Sequence, residues 1–392
     1  MASIKLVNFI KYNKCLYIIY NATGTFLVKV LKIFLCPNDK LILFTSFSGR
    51  RYDDSPRAVY EKMIADPRFD SYDFVWAFRQ PKEFILPKGR KVKIDTFEYY
   101  KIALQARVWM TNVGITRGLN FDGIQTFYIN SWHGSAIKYI GSDIHGQDTF
   151  KVKKSKHSLE DIYLAQGEFD IDTFSRAFLL PKSKVVLTGL PRNDELVTGN
   201  TVANAIKIRE KLHIPQGKKV ILYAPTYREY EKDKGNNCIM KPPFDMDKWK
   251  NQLGSEYILL IRAHQEVVNV LGINEDNFVK NVSNYPILNE LMLITDMLIS
   301  DYSSIMFDFS ILGKPIFCYT YDYDRYEKER GMYFDIRKEL PSESDEDSLI
   351  KLIKEGDYSE LSEKTVRFRE KYVTEYGSAS QKAVDIIYDA IN

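Results

Sequence analysis

The stretch DMLISDYSSIMFDFSILGKPIFCY, residues 296–319, decides the fold of this chain. It contains an apolar run, MLIS (297–300), and then the polar turn DYSS (301–304). A helical segment at 304–312 follows, and a second apolar run, PIFCY, occupies 315–319. Two short buried strands joined by a helix are typical of a parallel β-α-β unit. The unit predicts an α/β fold with its functional side chains at the carboxyl ends of the strands.

The same alternation of strands and helices extends over both halves of the 392 residues. In the first half we predict strands at 40–46, 72–78, 91–94, 108–111 and 126–131, and helices at 55–65 and 98–106. In the second half we predict strands at 185–188, 219–224 and 257–262, and helices at 204–212, 246–253 and 289–295. This length and pattern predict two Rossmann-like domains facing a central cleft.

A polar break with Gly and Pro at residues 189–200 marks the predicted domain boundary. We therefore divide the chain into four segments. They are an amphipathic membrane-associating segment (1–36), an N-terminal Rossmann-like domain (37–195), a C-terminal Rossmann-like domain (196–375) and a C-terminal helix (376–392).

Composition and charge narrow the class of function. With 45% hydrophobic and 27% charged residues the chain is globular, and its net charge of +3 gives no support for nucleic-acid binding. Basic residues cluster instead in the first forty residues and at KVKKSKH (151–157), which favours contact with an anionic membrane surface. The four cysteines are widely spaced, as in a cytosolic protein with reduced thiols.

The N-terminal segment alternates lysines with Ile, Leu, Phe and Tyr over residues 4–36. This pattern predicts an interfacial amphipathic helix at the cytoplasmic face of the membrane. The alternative is a helix packed on the protein's own core.

The side chains best able to carry chemistry follow the predicted strands or lie in the polar break. The segments are WHGS (132–135), GLPRND (189–194), PTYR (225–228), RAH (262–264) and DYSS (301–304). Together they bring two histidines and three arginines to strand ends: His133, His264, Arg192, Arg228 and Arg262. Such a set predicts a phosphate-handling site in the cleft.

Each candidate has a functional and a structural interpretation. His133 is able to take a proton from an attacking hydroxyl, or it is a hydrogen-bonded core histidine. Arg192 and Arg262 grip phosphoryl oxygens, or they form salt bridges between the domains. Ser303 and Ser304 offer hydroxyl and backbone N–H groups to a phosphate, or they simply cap a helix.

The absence of several motifs argues against a P-loop protein, a dinucleotide-binding protein and a zinc site. The sequence has no GxxxxGK[ST] loop, no GxGxxG, no HExxH and no paired cysteine ligands. DYSS is not a DxD metal pair. We therefore predict no cofactor and no metal ligand set, and leave dependence on a divalent metal open.

Six segments in order resemble the CDP-glycerol glycerophosphotransferase family, which includes the teichoic acid primases and polymerases. They are SFSGRRYDDSPRAVYE (46–61), YINSWHGSAIKYIGSDI (128–144), GLPRND (189–194), YAPTYR (223–228), LLIRAH (259–264) and residues 296–319, followed by RGMY (330–333). The resemblance extends from residue 44 to about residue 382.

The resemblance implies a GT-B-like fold with an N-terminal acceptor domain and a C-terminal domain for the CDP-polyol donor. It implies transfer of glycerol phosphate or ribitol phosphate to an undecaprenyl-diphosphate-linked saccharide acceptor, with release of CMP. His133 is then the general base and His264 a second catalytic histidine. The implied substrate-binding residues are Trp132, Gly134, Ser135, Ala136, Arg192, Pro225, Thr226, Arg262, Ser303, Ser304 and Asp308.

Several alternatives stay open at this stage. The family commonly has Thr-Pro after WHG, whereas this chain has Ser135-Ala136, so the polyol is left open. A capsule polyol-phosphate transferase, a GT-B glycosyltransferase that uses a nucleotide-sugar, and a non-catalytic protein that binds the membrane surface are the rival functions.

Overall fold

The computed structural model describes residues 13–144, 159–228, 238–263, 267–270 and 274–392. Its first half forms a seven-stranded, wholly parallel sheet in the order β3-β2-β1-β4-β5-β6-β7. The strands are β1 (Asn38–Thr45), β2 (Asp73–Phe78), β3 (Arg90–Lys93), β4 (Ala106–Thr111), β5 (Phe127–Asn130), β6 (Ile162–Ala165) and β7 (Val185–Leu187). The strand order reverses between β1 and β4, which is where ligands bind in open α/β sheets.

Helices cover both faces of this first sheet. They are α1 (Lys14–Phe34), α2 (Asp54–Ile64), α3 (Phe97–Gln105) and α4 (Glu168–Phe178). The strands are apolar on both faces, as parallel strands covered on both sides require. Trp76 and Trp109 are fully buried in the two layers that result.

The second half repeats the architecture with six parallel strands in the order β12-β10-β8-β13-β14-β15. The strands are β8 (Lys219–Tyr223), β10 (Tyr257–Ile261), β12 (Val279–Asn281), β13 (Met297–Ser300), β14 (Ile316–Tyr319) and β15 (Ser342–Glu343). A separate two-stranded parallel sheet pairs β9 (Cys238–Met240) with β11 (Val267–Val270). In the six-stranded sheet the order reverses between β8 and β13, so this domain also places its crevice beside the residues 296–319 unit.

The remaining helices lie between and after these strands. They are α5 (Asp194–Thr198), α6 (Val202–Lys211), α7 (Met246–Leu253), α8 (Leu288–Ile294), α9 (Ile305–Ser310), α10 (Tyr323–Arg330), α11 (Glu346–Glu355), α12 (Tyr358–Tyr372) and α13 (Ala379–Ile391). The predicted α/β fold with two Rossmann-like halves is confirmed. The predicted elements agree with the structure to within three residues at their described ends, but strands β6, β9, β11, β12 and β15 and helices α4, α5 and α10–α12 were not predicted.

The last helix, α13, returns to the first domain. Ala383, Val384 and Ile387 are fully buried in the same apolar cluster as β1, β2 and α2. Asp194 accepts hydrogen bonds from the backbone N–H groups of residues 379 and 380 and so caps the helix. The division of the chain at residues 36, 195 and 375 stays a prediction. The last of the four segments, 376–392, packs on the N-terminal sheet.

Helix α1 has two unlike faces. Tyr20, Asn21 and Lys32 donate hydrogen bonds to carbonyls of the loop that joins β4 to β5, and Val28 is buried against the first sheet's outer layer. On the opposite face six large apolar side chains are 54–78% exposed: Ile18, Ile19, Phe26, Leu27, Ile33 and Phe34. By length and composition the helix could also cross a membrane. Residues 1–12 and the cluster at 151–157 lie outside the described residues.

Replacing Ile387 by Ala tests the packing of α13. Because Ile387 is fully buried in the first domain's core, the change should destabilise that domain by about 3 kcal/mol. Urea unfolding followed by tryptophan fluorescence reports this, since Trp76 and Trp109 lie in the first sheet. Asp389→Ala, at an exposed position of the same helix, is the control and should leave the midpoint unchanged. Equal midpoints for the two variants would contradict the packing.

Candidate active site

The two sheets face a cleft of about 1310 Å³ at the carboxyl ends of their strands. Most of the predicted site residues in the described part of the chain line it: Trp132, His133, Arg192, Pro225, Arg262, Ser303, Ser304 and Asp308. Gly134, Ser135, Ala136 and Thr226 lie behind this surface. His264 lies outside the described residues, so its role stays a prediction.

His133 is held by the end of the neighbouring strand. Its Nδ1 lies 3.1 Å from the backbone carbonyl oxygen of Asn112, just after β4. A carbonyl only accepts hydrogen bonds, so Nδ1 carries the proton in the neutral ring and Nε2 is left as the basic nitrogen. Burial lowers the pKa of His133 below its usual 6.5, against the opposing effects of the Asn112 bond and the Asp54 charge. The neutral, proton-accepting form is therefore favoured.

Two aromatic rings lie close to the ring of His133. The Trp132 ring centroid lies 4.0 Å from it, and the Phe47 ring centroid lies 6.1 Å away. Trp132 has a φ of +49°, an uncommon value for a non-glycine residue. The amide N–H of Trp132 is anchored by the side chain of Asn130 at the end of β5. The surrounding strand ends thus hold a strained turn that presents the histidine.

Gly134 allows three segments to meet. It has a φ of +130°, and a Cβ there would lie 2.9 Å from both Nη2 of Arg192 and Oγ of Ser304. Contacts this short exclude a side chain at residue 134. The glycine therefore brings the backbone next to His133 against the inter-domain arginine and the start of α9.

Arg192 bridges the two domains. Its Nη1 donates to Asp54 at the start of α2 (2.9 Å), and its Nη2 donates to Asp308 in α9 (2.7 Å). All three side chains are at most 12% exposed. The structural interpretation of Arg192, an inter-domain salt bridge, is therefore observed, and its predicted contact with a phosphoryl group stays a prediction.

Ser135 and Ala136 do not line the cleft. The Ser135 hydroxyl is fully buried, donates to Asp170 (2.9 Å) and accepts from Gln166 (2.8 Å), while Ala136 packs in an apolar cluster beneath the site. The Gln166 amide also accepts from Asn193, which in turn donates to Asp308. These residues support the His133 turn from behind. Burial raises the pKa of Asp170 to about 7.

Two arginines on the C-terminal side of the cleft differ in their exposure. Arg262 lines the cleft and donates from Nη1 to the Tyr285 carbonyl oxygen (2.7 Å). Arg228, counted with it from the sequence, is only 3% exposed and is paired with Asp301 and Asp322. Arg228 therefore has a structural role.

Pro225 and Thr226 follow β8. Pro225 lines the cleft, whereas Thr226 is buried and its backbone N–H donates to Asp301 (2.8 Å). The predicted substrate contact of Thr226 thus has no direct geometric support from its side chain.

Ser303 and Ser304 are not ordinary caps. Ser304 occupies the N-cap position of α9 but makes no side-chain capping hydrogen bond, and Ser303 accepts only a long 3.4 Å bond from the N–H of Ile305. Both serines line the cleft, and Ser304 faces Gly134. Their hydroxyl groups remain able to donate to a ligand.

One side of the cleft was not predicted from the sequence. Phe47, Arg51, Asp53 and Asp54 line it from the loop after β1. The signal was present, because SGRRYDD directly follows a predicted strand, but those residues were used only for the family resemblance. The described residues contain no cluster of His, Cys, Asp and Glu suited to a metal ion.

The chain matches known proteins over nearly its whole length. The sequence model of a family described as CDP-glycerol:poly(glycerophosphate) glycerophosphotransferase matches residues 27–389. A teichoic acid poly(glycerol phosphate) polymerase of Staphylococcus epidermidis is 34% identical over 90% of this chain and 51% of its own length. A teichoic acid glycerol-phosphate transferase of Staphylococcus aureus is 33% identical over 90% of this chain and 94% of its own length. A teichoic acid ribitol-phosphate polymerase of Staphylococcus aureus is 26% identical over 92% and 70%.

A solved structure shows the same fold. A variant of the wall teichoic acid polymerase TagF, soaked with CDPG, superimposes with a TM-score of 0.84 at 30% identity, over 97% of this chain and 98% of that one. This likeness confirms the predicted GT-B-like fold. The chain spans about half the length of the Staphylococcus epidermidis relative and nearly all of the Staphylococcus aureus transferase. With the family model covering residues 27–389, the chain belongs to the CDP-glycerol:poly(glycerophosphate) glycerophosphotransferase family.

Proposed function

We propose that this protein transfers glycerol phosphate from CDP-glycerol to a hydroxyl group of a teichoic acid acceptor. The observation that carries the proposal is His133, which lines the cleft with Nδ1 tied to Asn112 and Nε2 left as the base. The family membership supplies the reaction class, and it supports CDP-glycerol as the donor. Glycerol is favoured over ribitol because the glycerol-phosphate relatives are 33–34% identical and the ribitol-phosphate relative 26%.

The proposed step moves one proton and breaks one bond. Nε2 of His133 takes the proton of the acceptor hydroxyl as its oxygen attacks the phosphorus that bears glycerol. The bond from that phosphorus to the bridging oxygen of the diphosphate breaks, and CMP leaves. Hydrogen-bond donors directed at the transferring phosphoryl group lower the barrier because its charge is spread over the oxygens. Arg262 and the hydroxyls of Ser303 and Ser304 are the donors we propose for this, and their position on the cleft wall supports it.

The acceptor and the membrane form the second part of the proposal. We infer that the acceptor is linked to undecaprenyl diphosphate and that the enzyme is peripheral at the cytoplasmic membrane face. The exposed apolar side of α1, with Lys29 as the one basic residue within that face, supports this. Such a helix lies in the interface with its apolar face among the acyl chains and a basic residue such as Lys29 near anionic headgroups.

His133→Ala should abolish CMP release from CDP-glycerol in the presence of a lipid-linked disaccharide acceptor, bare or primed with glycerol phosphate. Loss of a general base of this kind costs about 10²–10⁴-fold in rate. His213→Asn is the control, because His213 is exposed and its φ of +51° suits Asn. Full activity in the His133 variant would remove it as the base, and absence of CMP release from the wild type with every acceptor would refute the proposed reaction.

The pH profile tests the protonation state of His133. The base must be neutral, so kcat/KM should rise with pH through the pKa of His133 and then level off. Because burial lowers that pKa, the half-maximal point of the acid limb should lie below pH 6.5. A measured midpoint above pH 6.5, with the acid limb still present, would contradict the environment described for His133.

Vesicle binding tests the exposed face of α1. A double change of Ile33 and Phe34 to Asp replaces side chains that are 78% and 77% exposed, so the fold should be retained. Each apolar side chain buried in lipid contributes about 1.5–3 kcal/mol, so binding to phosphatidylglycerol vesicles should weaken at least about tenfold. Val202→Asp, at a position 78% exposed on α6, is the control. Unchanged vesicle binding by the double variant would contradict the membrane face.

A further inference from the structure

Each wall of the cleft carries an arginine whose positive charge is not neutralised by a salt bridge in the described part of the chain. Arg51 lies on the N-terminal wall and Arg262 on the C-terminal wall. Neither forms a salt bridge among those found in the described part of the chain, in contrast to Arg57 and Arg192, which do. Cations at the wall of a cleft without carboxylate partners are suited to an anionic ligand.

The loop after β1 holds Arg51 in place. Phe47, Ser48 and Gly49 have consecutive positive φ values of 46°, 54° and 77°. The loop is fixed by hydrogen bonds from the Phe47 N–H to the Asn112 side chain (2.8 Å) and from the Arg79 N–H to the Gly49 carbonyl oxygen (2.7 Å). Strained backbone of this kind persists only where its surroundings determine it, and it is concentrated at ligand sites.

This loop links Arg51 to His133 through the ring of Phe47. The Arg51 guanidinium carbon lies 6.0 Å from the centroid of the Phe47 ring, and the Phe47 ring lies 6.1 Å from that of His133. Asn112 joins the two loops, since its side chain accepts from Phe47 and its carbonyl oxygen binds His133. Arg51 therefore lies on the same wall of the cleft as His133 and is linked to it through Phe47.

Arg262 faces the same space from the other domain. The described hydrogen bonds of its side chain go from Nη1 to two carbonyl oxygens, those of Tyr285 at 2.7 Å and Val282 at 3.4 Å. Burial, and next the positive charge of Arg51, lower the pKa of Arg262 to about 10, while Asp53 acts in the opposite direction. The two guanidinium groups thus repel each other across the cleft.

The other acidic residues of the described cleft wall have their own hydrogen-bond or ion-pair partners. Asp54 and Asp308 bind Arg192, and Glu61 binds Arg57. Asp194 caps α13, and Glu195 accepts from the side chain of Asn289. Asp53 is left, and its charge acts on Arg51, Arg57 and Arg262 alike. One carboxylate between Arg51 and Arg262 leaves about one positive charge uncompensated.

We propose that Arg51 and Arg262 hold one phosphoryl group between them and thereby bind substrate to both domains at once. This rests on the proposed function and adds Arg51 as a phosphate-binding residue of the N-terminal wall. Bonds from two guanidinium groups suit the several oxygens of a phosphoryl group. The phosphate belongs either to the CDP-glycerol donor or to the acceptor, and the kinetic constants for the two substrates distinguish these sources.

The test compares Arg51→Gln, Arg51→Lys and wild type by CMP release, varying CDP-glycerol and the lipid-linked acceptor separately. We expect Arg51→Gln to raise the KM for one substrate by about tenfold or more and Arg51→Lys to raise it less, because Lys keeps the charge but not the fork of donors. Arg90→Gln is the matched control, since Arg90 is 48% exposed, paired with Asp73 and in the same domain. It removes the same charge at a site remote from the cleft wall.

The outcomes separate the possibilities. A raised KM for CDP-glycerol assigns the phosphate to the donor, and a raised KM for the acceptor alone assigns it to the acceptor. Values within twofold of wild type for both substrates would overturn the proposal, as would an equal effect of Arg90→Gln.

Failure of the wild type to release CMP refutes the proposed function instead. Stabilisation against heat by inorganic pyrophosphate, lost in Arg51→Gln but not in Arg90→Gln, would then still support the arginine pair, and its retention would exclude it. Should Arg51→Gln not fold, Arg51→Lys decides by the same measurements.

Discussion

The guanidinium of Arg192 is bonded at once to Asp54 of the first domain and Asp308 of the second, and the rest of the site depends on this bridge. Removing either carboxylate would leave buried charge without a partner, a large cost in a setting where all three groups are nearly inaccessible. The bridge sets the distance between the walls of the cleft. It also explains Gly134, since only a residue without Cβ allows the backbone beside His133 to lie against Arg192 and Ser304.

Pairing distinguishes two kinds of arginine among the four considered for the site. Arg192 and Arg228 each bind two carboxylates and are buried, so their charge is neutralised within the fold. Arg51 and Arg262 line the cleft, and no salt bridge is found for either in the described part of the chain. A residue type that looks uniform in the sequence therefore serves two purposes, and only the partners distinguish them. The carboxylates that decide this, Asp54 and Asp308, come from positions more than 100 residues from Arg192.

Features that depend on local sequence patterns could be predicted, whereas features that depend on distant contacts could not. The long apolar strands and the β-α-β unit at 296–319 were predictable because their pattern is local, as was the convergence of strand-end residues on one cleft. Strand β15 was missed because its two residues, Ser342 and Glu343, are polar and carry no apolar pattern, whereas β6 was missed although β13, of the same length, was predicted. Ser135 and Thr226 were predicted to bind substrate but lie behind the cleft surface, since burial depends on distant contacts such as those with Asp170 and Asp301. The tautomer of His133 was likewise beyond reach, because it is set by a backbone carbonyl 21 residues away.

The loop between β4 and β5 connects the proposed membrane face to the proposed base. At its start Asn112 holds the His133 ring and the Phe47 loop. Further along, the carbonyl oxygens of Arg117, Gly118 and Asp122 accept hydrogen bonds from α1. A helix lying on the membrane would thus be joined to the catalytic histidine through a single segment that is fixed at both ends. An acceptor whose lipid remains in the membrane would meet its base at a height set by that segment, whereas a soluble donor would not be subject to this restriction.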